Sequence, residues 1–163
     1  MIQHISKTAK IGKGTKIWHF AYVGSESKIG SNCKIGSLTH IDYDVVIHDN
    51  TVIEGMVYIP PRTRIGSNVF IGPGVVFTND PYPPSKKLTG AIVENGAIIS
   101  AGAVIKAGIV IGEKSFVAMG AVVTKSVPPC ECVKGIPAKK YSTRAEYIAK
   151  KSNWENESIF DKT

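Results

Sequence analysis

Asn79, Asp80, Tyr82 and Lys86 crowd into one stretch, Asn-Asp-Pro-Tyr-Pro-Pro-Ser-Lys-Lys-Leu-Thr-Gly-Ala-Ile, which runs over 79–92. A carboxamide such as Asn79 donates and accepts hydrogen bonds at a reacting group, and a carboxylate such as Asp80 can take a proton. Asp is equally a turn or capping residue, because its side chain bonds nearby backbone groups. Lys86 and Lys87, with Arg62 and Arg64 shortly before them, offer cations to a phosphate or a carboxylate. The stretch contains no histidine. His4, His19, His40 and His48 all precede it, and each reads as a solvent-facing corner residue. Cys130 and Cys132 form a lone C-x-C, which is weak evidence for metal or redox chemistry.

A single period predicts the frame that must hold these residues. Stepping by six from Ile5 gives a branched aliphatic or Phe at every position to Phe77, and the register resumes from Val93 to Val123. A small or β-branched residue sits four places after each anchor, from Ala9, Thr15 and Ala21 on to Val127, with Cys33 among them. Six fits neither a helix nor a long alternating strand, but it fits a short strand and a sharp corner. Gly often follows the anchor, as in Gly12, Gly24, Gly36 and Gly66, and is expected to supply the corner conformation. Three such units close a triangular coil, and stacked coils bury a continuous column of anchors. The expectation is a parallel β-helix of about six to seven coils, about 30 Å tall at the usual strand spacing. A sandwich would not hold one register this long.

The period fails once, between Phe77 and Val93, where the spacing of 16 is not a multiple of six. Three prolines and a Gly forbid ladder pairing there. A loop inserted at 79–92 can be a tolerated insertion, but its polar and aromatic base favours a wall of a functional site. The repeat therefore spans 1–140, and 141–163 form a tail. In the tail Thr143-Arg144-Ala145-Glu146 has the pattern of a capping box, predicting a short helix to about Lys151 that covers the open end of the prism. Trp154 is expected to anchor the tail, and the residues after Asn156 to fray.

The repeats over residues 5–140 resemble the left-handed β-helix family of hexapeptide acyltransferases, and the handedness comes from that resemblance. Phe70-Ile71-Gly72-Pro73-Gly74-Val75-Val76-Phe77-Thr78-Asn79-Asp80 is similar to the active-site segment of N-acetyltransferases that act on nucleotide-linked 3-amino sugars. This group includes those for UDP-linked 2-acetamido-3-amino glucuronate. Ile11-Gly12-Lys13-Gly14-Thr15-Lys16-Ile17-Trp18-His19-Phe20 is similar to the start of the same group. The resemblance implies Asn79 at the reacting centre, hydrogen-bonded near the amine or the acetyl thioester. Val122 to Pro129 and Val133 to Lys139 resemble the closing segment of the class. There acetyl-CoA is implied to contact the backbone around Gly102-Ala103 and Gly120-Ala121, with Lys125, Lys139 and Lys140 near its phosphates. The resemblance also implies a homotrimer with sites between subunits. Members of the group carry an Arg in the loop where this chain has Pro84, and a Gln-Asn-Asn stretch where it reads Glu54-Gly55-Met56. Lys86, Lys87, Arg62 or Arg64 are the candidates to replace that charge, with Tyr82 as a further substrate contact.

O-acetylating members place a His near this loop as general base. An amine near the α-amino reference pKa of about 7.7 is already partly deprotonated at neutral pH, and needs positioning and oxyanion stabilisation more than a base. The His-free loop therefore predicts an amine acceptor, which the resemblance implies is the amino group of a UDP- or dTDP-linked sugar. A sugar O-acetyltransferase or a non-catalytic scaffold are the alternatives. A γ-class carbonic anhydrase shares the fold, but its zinc histidines lie five apart, whereas His40 and His48 lie eight apart, so no metal is expected. His40 or His48 can line a neighbouring subunit's pocket. The net charge of +7 comes with no aromatic platform or nucleic-acid motif, and many lysines sit singly at outward repeat positions, which argues against nucleic acid. It favours an anionic small ligand instead. No segment is long and apolar enough for membrane insertion. Met1-Ile2-Gln3-His4 leads straight into the first repeat without a signal, so a reducing cytoplasm is the expected compartment.

Overall fold

The computed structural model describes residues 3–157; Met1-Ile2 and the tail beyond Glu157, expected to fray, lie outside them. Nineteen two-residue strands, β1 to β19, run from His4–Ile5 to Val122–Val123, and every anchor of the period is the second residue of its strand. Parallel pairing joins each strand to the strand one coil away, so Ile5 pairs with Val23, Ile11 with Ile29 and Ile17 with Ile35. The result is a parallel β-solenoid of seven turns with three sheets. The first sheet starts at β1, the second at β2 (Lys10–Ile11) and the third at β3 (Lys16–Ile17).

The anchors and the residues four places on fill the interior. Ile35, Ile41, Ile59, Ile65, Ile71 and Phe77 are fully buried. Thr and Ser are tolerated at several of these places because the hydroxyl finds a carbonyl of the next coil; Thr63 turns to Pro60 O in its own coil instead, and the buried Ser115 hydroxyl has no partner among the described residues. Ser27 donates to Asp42 O at 2.7 Å, Thr39 to Glu54 O at 2.9 Å and Thr51 to Gly66 O at 2.8 Å. Ile11, in the first coil, remains 36% exposed because no coil lies beneath it.

The corners differ from expectation. The left-handed residue is the third after the anchor, and it need not be glycine: Phe20, Asn32, Leu38, Asp44, Asn50, Met56 and Arg62 all have φ between 51° and 65°. The glycine directly after the anchor serves close approach instead. A Cβ on Gly12 would lie 2.4 Å from Gly30 C, and one on Gly36 2.4 Å from Gly55 N. The histidines are not all corner residues either. His4, Tyr22, His40 and Tyr58 stack in one outward column on the first sheet, with centroid separations of 4.9, 4.5 and 5.5 Å.

Nor do the lysines all stand singly. Lys10 faces Lys28, and Lys16 faces Lys34, in adjacent coils. Like charges directly opposite one another cost a few tenths to about 1 kcal/mol. Lys28→Glu should therefore raise stability by up to about 1 kcal/mol in low salt, an increment that fades with added salt in urea titrations.

The last coil is short by two residues. Val127 bridges to Ile111 and so takes an anchor's place, not the small-residue place that the period gives it. β20 (Glu131–Lys134) extends the third sheet, and β21 (Lys139–Thr143) turns back antiparallel to it, a hairpin the period does not foresee. The helix α1 (Arg144–Asn156) is capped as predicted, with Thr143 accepting from Glu146 N and Glu146 accepting from Thr143 N. It runs past Lys151, and it packs on the outer face of the third sheet rather than over the prism's end. Tyr147 lies 4.4 Å from Phe116 there. Trp154 is 68% exposed and anchors nothing.

Candidate functional site

The loop leaves at the edge between the first and second sheets, after β13 (Val76–Phe77), and returns into β14 (Ile92–Val93). Its neck is closed by backbone: Thr89 N donates to Asn79 O at 2.8 Å. Thr78 ties the entry to the coil above, since Ala107 N donates to its hydroxyl at 2.8 Å. Arg62 Nη1, from the coil below, donates to Leu88 O at 3.4 Å at the exit. Gly90 rejoins the prism so tightly that a Cβ would lie 2.3 Å from Arg62 C and O. The period reveals none of Thr78, Thr89 and Gly90; only the Gly closing the Pro-rich run hints at the last.

Within this frame Asp80 is occupied. Its carboxylate accepts from Tyr82 N at 2.9 Å, Ser85 N at 2.7 Å and Ser85 Oγ at 2.8 Å. Burial pushes its pKa up, but the hydrogen bonds from Ser85 and Tyr82 outweigh that and hold it below the usual carboxylate range. A depressed folded pKa gives a contribution that is complete above the unfolded value of about 4 and lost as pH falls through the lowered one. Amide exchange should accordingly show protection of the Tyr82 and Ser85 N–H groups at neutral pH that disappears only in that acid range. Asp80→Asn should weaken it at every pH.

The Asn79 side chain, half-buried at the neck, makes no hydrogen bond to any described residue. Tyr82 is 80% exposed, and Lys86 is exposed beside it. Arg64 is committed elsewhere: it lies on the outer face of the second sheet, and its guanidinium bonds Asp44 O and, at 2.9 Å, Asp44 Oδ1. Lys125 shares the loop's edge, two coils higher.

Gly102 and Gly120 stand on a different edge, between the third and first sheets. They share the left-handed corner position with Gly74, at φ of 66° to 68°, and a Cβ on any of the three would meet nothing within 4 Å. One position per coil, this corner is filled by Phe20, Leu38 and Met56 in the first three coils, at the same backbone conformation. Neither φ nor internal packing therefore demands glycine above. The edge is bare on its outside, and the carbonyls of Gly102 and Gly120 accept no hydrogen bond from described residues. Ala103 and Ala121 are fully buried, so they offer a ligand no side chain. Lys139 and Lys140 lie on β21; Lys140 pairs with Glu131 at 2.6 Å, while Lys139 is exposed. The predicted residues thus form two groups, one at the loop edge and one at the glycine edge. They stand one prism side apart, at most about 20 Å for six extended residues.

Among the described residues no three His, Cys, Asp or Glu side chains gather as metal ligands, and no helix is long and apolar enough to cross a membrane.

Residues 8–42 and 44–79 match the model of the bacterial transferase hexapeptide (six repeats). Over those residues the chain carries the hexapeptide repeat of bacterial transferases. This hexapeptide-repeat chain is 29% identical over 150 residues to the bifunctional protein GlmU of Clostridioides difficile strain 630, covering 92% of itself and 31% of that protein. It thus spans about a third of the length of that curated relative. Among solved structures it is similar to WeeI from Acinetobacter baumannii AYE, with 26% identity and a TM-score of 0.62 over 84% of this chain and 57% of that one. It is also similar to the hexapeptide-repeat-containing acetyltransferase VCA0836 from Vibrio cholerae O1 biovar eltor, solved with acetyl coenzyme A. Identity there is 26% and the TM-score 0.56, over 80% of this chain and 71% of that one.

Proposed function

We propose that this protein is an acetyl-CoA-dependent N-acetyltransferase acting on the amino group of a nucleotide-linked sugar. The observation that carries the reading is a loop neck presenting an unpartnered carboxamide, Asn79, with no histidine in the loop. Asn79 suits a reaction that needs a positioned hydrogen bond at a developing oxyanion or at the amine, and no side-chain base. The amine nitrogen attacks the thioester carbonyl, the C–S bond breaks, and the products are an amide and the CoA thiol, with the amine's proton passing to the sulfur or to water. Asp80, already accepting three hydrogen bonds, acts as a positioning residue that shapes the loop. The likeness to VCA0836, solved with acetyl coenzyme A, supports the co-substrate.

The bare glycine edge fits the pantetheine arm, whose amide N–H groups find the carbonyls of Gly102 and Gly120 without partners. Lys125 and Lys139, exposed and without ion pairs among the described residues, are the better candidates for CoA phosphates. Arg62, with donors left beyond its bond to Leu88, and Lys86 are the cations closest to an acidic or phosphorylated acceptor, with Tyr82 as a further contact. Because loop and glycine edge are a prism side apart, the site is completed by a homotrimer in which one copy's loop faces its neighbour's glycine edge. The cytoplasm, where acetyl-CoA is made and used, is its compartment.

The test is a matched pair of acceptors, a UDP- or dTDP-linked 3-amino sugar and its hydroxyl counterpart. The amine should be acetylated with kcat/KM at least about 100-fold higher, the discrimination reached when a site is built for one polar group. Equal rates, or a preference for the hydroxyl, would return the O-acetyltransferase reading.

A further inference from the structure

An open cleft of about 500 Å³ lies on the third sheet, at the same edge as Gly102 and Gly120 but nearer the first coil. Trp18, 40% exposed, forms one wall, and Lys34 and Glu54 form others. The floor is bare because Gly36 and Gly55 sit where a Cβ would lie 2.4 Å from Gly55 N and 2.9 Å from Ser37 O. The Lys34 ammonium, the Glu54 carboxylate and the Trp18 indole N–H all lack a partner among the described residues. An opposite-charge pair that faces one cleft without closing on itself presents a donor and an acceptor beside a flat aromatic face.

We infer that this cleft takes the nucleobase of the acceptor substrate, stacked on Trp18, with Lys34 donating to a ring carbonyl and Glu54 accepting from the adjoining ring N–H. That pairing favours a lactam edge, as in uracil, thymine or guanine, because a lactam N–H is a more acidic donor to a carboxylate than the exocyclic amine that adenine offers beside its ring nitrogen. Stacking on an aromatic side chain tolerates any base, so the polar edge supplies the selectivity. The assignment rests on the nucleotide-sugar reading, and it adds where the nucleotide lies. From the cleft, around the second and third coils, to Gly102 is two to three coils, about 10–15 Å at the strand spacing. A diphosphate between a ribose and a hexose can bridge that span. The acceptor then approaches from the N-terminal end of the edge, leaving the C-terminal end to acetyl-CoA.

The chain has two tryptophans, so a Trp154→Phe background reports Trp18 alone. Free UDP, dTDP, GDP, ADP and CoA are titrated against its fluorescence, with no acetyl donor and no turnover. At least one lactam-edged nucleotide should quench saturably. Trp18→Ala should lower its affinity, measured by calorimetry, about tenfold or more, the usual scale for losing one stacked base. Glu54→Gln should weaken UDP, dTDP or GDP while leaving ADP unchanged. The inference is overturned if none of the three quenches, if ADP or CoA binds the cleft as well as they do, or if Trp18→Ala binds like the parent. Acetyl transfer with an unchanged KM in Trp18→Ala would sink this site and keep the enzyme. Saturable UDP binding in a protein that acetylates nothing would do the reverse.

Discussion

Asn79→Ala should lower kcat by about 100- to 1,000-fold, the loss typical of removing one oxyanion donor, while circular dichroism and oligomeric state stay as in the parent. The geometry lets these effects be separated. The loop neck is closed through the Asn79 backbone carbonyl and Thr89 N, and that bond survives truncation of the side chain. The carboxamide contributes no internal hydrogen bond, so its loss leaves no buried group unsatisfied. Paired kcat and denaturation measurements decide the matter. A large rate loss with unchanged stability fits a residue acting on the substrate. Parent-like turnover would remove Asn79 from the mechanism, and a parallel loss of stability would make it a structural residue.

Ile65→Ala should cost about 2–5 kcal/mol, the range for truncating a fully enclosed aliphatic. Ile65 is 0% exposed and stacks in register between Ile47 and Val93, the anchor on which the loop returns. Stability in such stacks is close to a sum of nearest-neighbour terms, so the cost falls on both interfaces of one coil. Ile11→Ala provides the contrast. Ile11 occupies the same repeat position in the first coil but is 36% exposed and has one neighbouring coil instead of two. Its truncation should cost less than half as much, read from urea midpoints at constant m-value. Equal costs would mean that the column is not the unit of stability.

The architecture was legible because burial acts on every anchor alike: one residue in six must be apolar or the stack opens. For the same reason the loop was visible as the single place where that requirement lapses. Corner chemistry was misread, since Gly12 and Gly36 look like turn formers, whereas the left-handed turns at Phe20, Leu38 and Met56 are held by stacking neighbours. The register of the stack followed from three units per coil, but the neighbours it creates on the outer face were less plain. The Lys10–Lys28 pairing and the His4–Tyr22–His40–Tyr58 column need the 18-residue coil, not the six-residue unit. For the site, sequence singled out Asn79 and the loop but could not tell that Arg64 is committed to Asp44, or Lys140 to Glu131. Gly102 and Gly120 were singled out by the resemblance alone, since the period does not distinguish one glycine from another. Gly74, Gly102 and Gly120 are left-handed like Gly14, Gly96 and Gly108, but they alone among these six have empty space outside them.

The most direct test is to mix the protein with acetyl-CoA and a panel of UDP- and dTDP-linked amino sugars and follow thiol release, with the acetylated product identified by mass. At least one amine should give stoichiometric thiol and N-acetyl product at neutral pH, with release absent from reactions lacking the amine. No thiol release with any amine, together with no heat of CoA binding in calorimetry, would contradict the enzyme reading and leave a β-solenoid scaffold.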